Sequence, residues 1–253
     1  MCFDWGENVT FSPTHTIRSQ SADIILCAIE VSRGVMAVGG KDGTITIYEV
    51  ATGQRLANLK GHKASICKLA MVQHNGKRYL ASGSDHGCSS IALWDTGSWT
   101  MRMKMESHKA AVTSIVDMMD GRSLVSGSYD KSINVYNLGS EGKLDFTLPN
   151  NKSSVTGILL NCNGTKLVSC GLDNTLNVWQ VARGANRALT SIFLERIIEN
   201  NTMVCSLLAS VTQPDLVILG AKDGKVKLIN LARGDSFKHV EVGGGAVVEM
   251  VAI

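Results

Sequence analysis

The stretch VSGSYDKSINVYNL, Val125 to Leu138, decides the fold because it recurs: ASGSDHGCSSIALWDT runs from Ala81 to Thr96 and VSCGLDNTLNVWQV from Val168 to Val181. Each is a short apolar run, a turn rich in Gly, Asp and Ser, and a second run that alternates apolar and polar residues. Period-two alternation on both sides of such a turn marks a β-hairpin. An aspartate suits the turn because its carboxylate accepts hydrogen bonds from nearby backbone N–H groups. The copies differ in length. Asp85 stands nine residues before Trp94, whereas Asp130 and Asp173 stand six before Tyr136 and Trp179, so the first copy carries three extra residues on this alignment.

Working outward, the turn aspartates Asp42, Asp85, Asp130, Asp173 and Asp223 are spaced by 43, 45, 43 and 50 residues. Periods of this size are the signature of a repeat architecture. Each hairpin supplies two strands, b and c. A strand a precedes it, as in SICKLAMV or VTSIVDMM, and a strand d follows it, as in TMRMKMESH or KLDFTLPN. A four-stranded unit cannot bury both of its faces alone, but units set around an axis bury each face against a neighbour. The expected architecture is therefore all-β, a propeller with five complete blades at about 21–62, 63–108, 109–151, 152–201 and 202–245. Residues 1–20 resemble strands c and d of another blade, and 246–253 one strand a. The expectation is a chain cut from a propeller of six or seven blades. A β-sandwich is the alternative, but it does not call for five similar units.

KGHKASI at Lys60–Ile66, Ser107-His108 and the Trp94-Asp95 dipeptide resemble WD40 repeats over nearly the whole chain. Tyr48, Tyr136 and Ile229 stand where that family has tryptophan, and the last two units begin with Asn-Asn instead of Gly-His. The resemblance implies a buried network in each blade. In the second it joins His62, Ser82, Asp85 and Trp94. In the third it joins His108, Ser126 and Asp130, with Tyr136 at the aromatic position. Asp173 and Trp179 represent it in the fourth. It also implies partner contacts on the face carrying the b–c and d–a loops. Carried over by register, these fall on Lys41, Ser84, Tyr129, Leu172 and Lys222, each preceding a turn aspartate, and on the starts of the a strands, including Ile25, Cys27 and Met203. The three extra residues lie in the second blade's b–c turn, so His86 and Cys88 are expected to project from the same face.

Composition bounds the function. Hydrophobic residues make up 44% and charged residues 19%, enough apolar surface for a large core. A net charge of +3 without a block of like charges argues against nucleic acid as the main partner, and Lys60, Lys63, Lys77, Arg78, Arg102 and Lys104 read as a solvated face. No apolar run is long enough for a membrane helix. Seven cysteines without a C-x-x-C pair, several within apolar alternation, suit buried thiols in a reducing compartment, cytoplasmic or nuclear. Catalytic signatures are missing: there is neither a G-x-S-x-G elbow nor a phosphate-binding loop. Ser84, Asp85 and His86 are consecutive, and neighbouring strand residues point to opposite faces. His86 and Cys88 lack further ligands for a metal. No cofactor, metal or catalytic residue is expected. The expected function is a non-catalytic scaffold holding a protein partner within a multi-subunit assembly, its own oligomeric state undetermined. The alternatives are a component of an RNA-containing particle, of the ribosome-biogenesis type, and a substrate receptor of a ubiquitin ligase. The W-D-x-R signature of one ligase-adaptor class is not present, since Trp94-Asp95-Thr96 runs into Gly97.

Overall fold

The computed structural model describes residues 24–149, 152–241 and 245–247. The strands expected within 1–20 lie outside them, as does most of 246–253. The described chain forms five antiparallel four-stranded blades, each in the order a-b-c-d. Blade one holds β1 (Ile25–Ser32), β2 (Val35–Gly40), β3 (Ile45–Glu49) and β4 (Arg55–Leu59). Blade two holds β5 (Ile66–His74), β6 (Lys77–Ser84), β7 (Ile91–Asp95) and β8 (Met101–Met105). Blade three holds β9 (Val112–Asp117), β10 (Ser123–Ser128), β11 (Ile133–Asn137) and β12 (Lys143–Thr147). Blade four holds β13 (Val155–Leu160), β14 (Lys166–Gly171), β15 (Thr175–Arg183) and β16 (Leu189–Glu199). Blade five holds β17 (Val204–Ala209), β18 (Leu216–Ala221), β19 (Lys225–Asn230) and β20 (Asp235–Glu241). No α-helix occurs among the described residues. The molecule is a β-propeller.

The core lies between the blades. Ile45, Ile47 and Leu59 of blade one pack with Ile66, Leu80 and Trp94 of blade two, and the next three junctions carry equivalent clusters. Trp179 and Tyr136 are fully buried in two of them. Close approach of successive blades explains the glycine near the end of strand b. A Cβ on Gly39 would lie 2.7 Å from Ile66, one on Gly83 2.7 Å from Val112, and one on Gly127 2.6 Å from Val155. Each of these partners opens the next blade's strand a. Gly220 meets Val247 at 2.7 Å in the same way, and the Val247 N–H bonds the Ala221 carbonyl at 3.0 Å. Val247 thus stands against blade five as Ile66, Val112 and Val155 stand against the blades before them.

Turn chemistry follows expectation in four blades. The carboxylates of Asp42, Asp130, Asp173 and Asp223 each accept the backbone N–H two residues on, at 2.8, 2.8, 3.2 and 3.2 Å. The fourth blade departs from the regular repeat, because β15 and β16 extend into a long hairpin. The Arg183 guanidinium at its neck donates to Gly164 O at 2.8 Å and, across the blade junction, to Met118 O at 2.7 Å. Asp120 of blade three accepts the Leu189 N–H from the same hairpin at 3.2 Å.

Candidate functional site

The loop face is built from the b–c turns and from the d–a loops that lead into each inner strand. Five backbone bonds tie these together and define equivalent positions. The N–H groups of Lys41, Asp85, Tyr129, Leu172 and Lys222 donate to the carbonyls of Ile24, Ser65, Ala111, Ser154 and Met203. This corrects the sequence register twice. In blade two the position of Tyr129 belongs to Asp85, not to Ser84, and Ser84 is fully buried. In blade one the inner-strand positions belong to Ile24 and Leu26 instead of Ile25 and Cys27. Both Ile24 and Leu26 are exposed.

The extra length of the second turn is also smaller than the sequence alignment implied. Ser84 N bonds Ser90 O just as Ser128 N bonds Ser132 O and Gly40 N bonds Thr44 O. The insertion is therefore two residues, not three. Ser89 at φ 46° takes the left-handed place that Gly43 and Lys131 hold in the regular turns, and Gly87 at φ 98° is the additional left-handed residue of the longer turn. His86 is exposed on the turn as expected, but Cys88 is half-buried and turned toward His62.

The blade-three network forms as expected. His108 Nε2 lies 2.6 Å from Ser126 Oγ, and Nδ1 lies 3.0 Å from Asp130 Oδ2. That carboxylate oxygen also accepts the Lys109 N–H at 2.8 Å. Burial pulls the His108 pKa down despite the Asp130 charge, so the ring is neutral. Burial opposes ionisation of Asp130 too, but hydrogen bonds from Ser132 and Lys109 outweigh it and hold its pKa below the ordinary value. Tyr136 OH accepts from Asn134 at 3.3 Å.

Blade two differs from the expected network. His62 Nε2 faces Ser82 Oγ at 2.7 Å and Trp94 Nε1 donates to the same oxygen at 2.8 Å, but Nδ1 faces Ser90 Oγ at 3.1 Å. Asp85 is not its partner. It takes the face position of Tyr129, where its carboxylate accepts the His86 N–H at 2.6 Å. Burial, helped by the Lys104 charge, brings the His62 pKa down to about 4. In blade four Trp179 donates to Ser169 Oγ at 2.9 Å and Asp173 accepts from Thr175 Oγ1 at 2.8 Å, within its own turn. Sequence alignment on the aspartates missed Asp85, Ser90 and Cys88 in these positions. Alignment on the shared Ser-Gly-Ser of Ser82–Ser84 and Ser126–Ser128 recovers Asp85, and counting back from Trp94 and Tyr136 recovers Ser90 and Cys88.

Of the remaining candidates, Tyr129 and Leu172 are each 50% exposed at equivalent positions of adjacent blades. Lys41 and Lys222 are exposed, and Met203 is half-buried. Among the described residues no group of three or more His, Cys, Asp or Glu side chains is arranged to hold a metal. No described helix is long and apolar enough to cross a membrane.

Three stretches, 53–95, 99–137 and 142–180, match the profile of the WD domain, G-beta repeat family. The chain belongs to the WD40-repeat β-propellers. Among curated proteins it is 30% identical over 140 residues to a zebrafish (Danio rerio) protein named p21-activated protein kinase-interacting protein 1-like, covering 55% of this chain and 36% of the relative. It is 26% identical over 110 residues to Autophagy-related protein 16 of Arabidopsis thaliana, covering 43% and 21%. The matched part thus spans about a third or less of these relatives' own length. Among solved structures, the computationally designed Ika8 protein superposes with a TM-score of 0.68 at 24% identity, over 88% of this chain and 63% of that one, a likeness of fold.

Proposed function

We propose that this propeller is a protein-interaction scaffold whose partner docks on the face of the b–c and d–a loops. The observation that carries the proposal is the pair Tyr129 and Leu172. Two large apolar side chains stand half-exposed side by side on consecutive blades, at turns whose backbone is already tied to the inner strands. Rigidly held aromatic and aliphatic anchors suit the dry centre of an interface. Exposed Lys41 and Lys222 provide a charged rim. WD40 propellers are typically interaction scaffolds, and the zebrafish relative carries the name of a kinase interactor. Cys67, Cys88, Cys162, Cys170 and Cys205 are free thiols, which suits a reducing compartment, cytoplasmic or nuclear, where the chain would serve as one subunit of an assembly.

The test is a pull-down from lysate with wild type, Tyr129→Ala/Leu172→Ala and Arg187→Ala, the last in the turn joining β15 to β16, a c–d connection at the end opposite the b–c and d–a loops. The double variant is expected to lose its main partner by ~2 kcal/mol or more, with Arg187→Ala unaffected. Retention by the double variant together with loss from Arg187→Ala would place the partner elsewhere.

A further inference from the structure

The β15–β16 hairpin runs past its own blade and reaches the a–b turns of its neighbours. Its tip, residues 184–188, is fastened to blade three by the Arg183 bond to Met118 O and by the Leu189 N–H bond to Asp120. The a–b turn of blade two is tied to the same place. The Asn75 N–H donates to Gly121 O at 3.4 Å, and His74 Nδ1 lies 3.0 Å from that oxygen. Three blades thus wall a cleft of about 470 Å³, lined in part by Asn75, Gly76, Gly121, Arg122 and Asn186. A regular repeat would not form it, because its far wall is the length that β15 and β16 add.

The free charge in this cleft is positive. Asp120 lines it too, but the protein already fills both carboxylate oxygens. Oδ1 accepts the Arg122 and Ser123 N–H groups at 2.8 and 2.6 Å, and Oδ2 accepts the Ser123 hydroxyl at 2.7 Å besides the Leu189 N–H. Asp117, three residues earlier, is given to the Gln73 and Met119 N–H groups at 2.7 and 2.8 Å. Among the described residues the Arg122 guanidinium and the Asn186 amide have no protein partner, and Arg187 beside Asn186 is exposed.

Arginine is also segregated in this molecule. No described arginine lies in a b–c or d–a loop, where the basic residues are lysines such as Lys41, Lys109 and Lys222. Among the described residues no arginine pairs with a carboxylate. The planar guanidinium fork matches a carboxylate through two parallel bonds, which a lysine cannot do. We infer that the cleft is a second interaction surface, at the end opposite the b–c and d–a loops, and that it takes an acidic segment of a partner protein through Arg122 and Arg187. A nucleic acid fits it less well. No aromatic side chain lines the cleft to stack a base, and Asp117 and Asp120 interrupt the positive field that a continuous phosphate backbone needs. A peptide spaces its carboxylates along the chain and passes between them.

The experiment follows the fluorescence anisotropy of labelled, end-blocked hexaglutamate titrated with the whole protein at low salt, with hexaserine and an oligouridylate of the same charge as comparisons. Wild type is expected to bind hexaglutamate saturably and more tightly than either. Arg122→Ala/Arg187→Ala should weaken that binding roughly tenfold or more. Arg122→Lys/Arg187→Lys, which keeps the charges and loses the forks, should recover only part of it. Tyr129→Ala/Leu172→Ala should bind hexaglutamate as wild type does, so the two faces are tested separately. Hydrogen exchange places the peptide: amides of residues 75–76, 121–122 and 185–188 should gain protection. Absence of saturable binding, equal binding by Arg122→Ala/Arg187→Ala, protection confined to the lysine-bearing loops, or tighter binding of the oligouridylate would each overturn the inference.

Discussion

His62 and His108 hold equivalent places in adjacent blades yet end on different acceptors, and single substitutions separate the two cases. Asp130→Ala leaves the His108 and Lys109 N–H groups without their acceptor and should lower the stability by roughly 1–3 kcal/mol in denaturant titration. Asp85→Ala, which was expected from sequence to behave alike, should cost less than about 0.5 kcal/mol, as for a surface change. The His62 pKa near 4 gives a sign for pH dependence. The unfolded chain binds the proton more tightly, so stability should rise between about pH 4 and the ordinary histidine value and be level above it. The contribution from this ring is at most ~3 kcal/mol. Denaturation midpoints for wild type and His62→Gln across that range check it, the variant showing the flatter profile. Gly127→Ala drives a methyl group to within 2.6 Å of Val155 and 2.8 Å of Ile158. Overpacking of this kind should cost about 1–3 kcal/mol, again read from the denaturation midpoint. Cys170 stands at the corresponding place in blade four, where its cross-strand partner is Gly157, on which a Cβ would lie 3.0 Å from the Cys170 sulfur.

Among the elements, the β15–β16 hairpin departs most from the repeat. β15 has nine residues and β16 eleven, whereas β7 and β8 have five each. The hairpin is held at its neck by Arg183, whose guanidinium spans the carbonyls of blades three and four. Arg183→Ala removes charge-assisted bonds to partly buried acceptors. It should destabilise the hairpin by roughly 1–3 kcal/mol. Hydrogen exchange is the suitable measurement: the amide of Leu189, bonded to Asp120, should lose protection while those of β9 to β11 keep theirs. The 50-residue step from Asp173 to Asp223 announces extra length in this unit, but not where it lies. Alternation in SIFLERIIE locates the strand itself. Its continuation to Leu189 depends on cross-strand pairing with Arg183.

At the scale of the molecule, stability resides in the junctions. Trp179 has no exposed surface and packs with blade-three residues such as Val125 and Leu148. Trp179→Ala should cost about 3–5 kcal/mol. Tyr129→Ala/Leu172→Ala, on the loop face, should leave the thermal midpoint within a few degrees of wild type. That contrast, read by calorimetry, separates anchors of the fold from anchors of a partner.

The sequence by itself determined the repeat, the all-β class, four strands to each blade and the aspartate-bearing turns. Those features are written in local patterns, period-two alternation and turn-forming residues, that recur every 43 to 50 positions. The serine, histidine and aspartate of blade three were legible for the same reason. Only the tertiary structure decided the register of blade two. There Asp85 takes the face position of Tyr129, Ser84 is buried as Ser128 is, and a two-residue insertion beyond them delivers Cys88 to His62. An aspartate in a turn looks the same in sequence whether its carboxylate meets a histidine or solvent. Which of the two occurs depends on the backbone bond from Asp85 N to Ser65 O, between residues twenty positions apart that only the folded blade brings together.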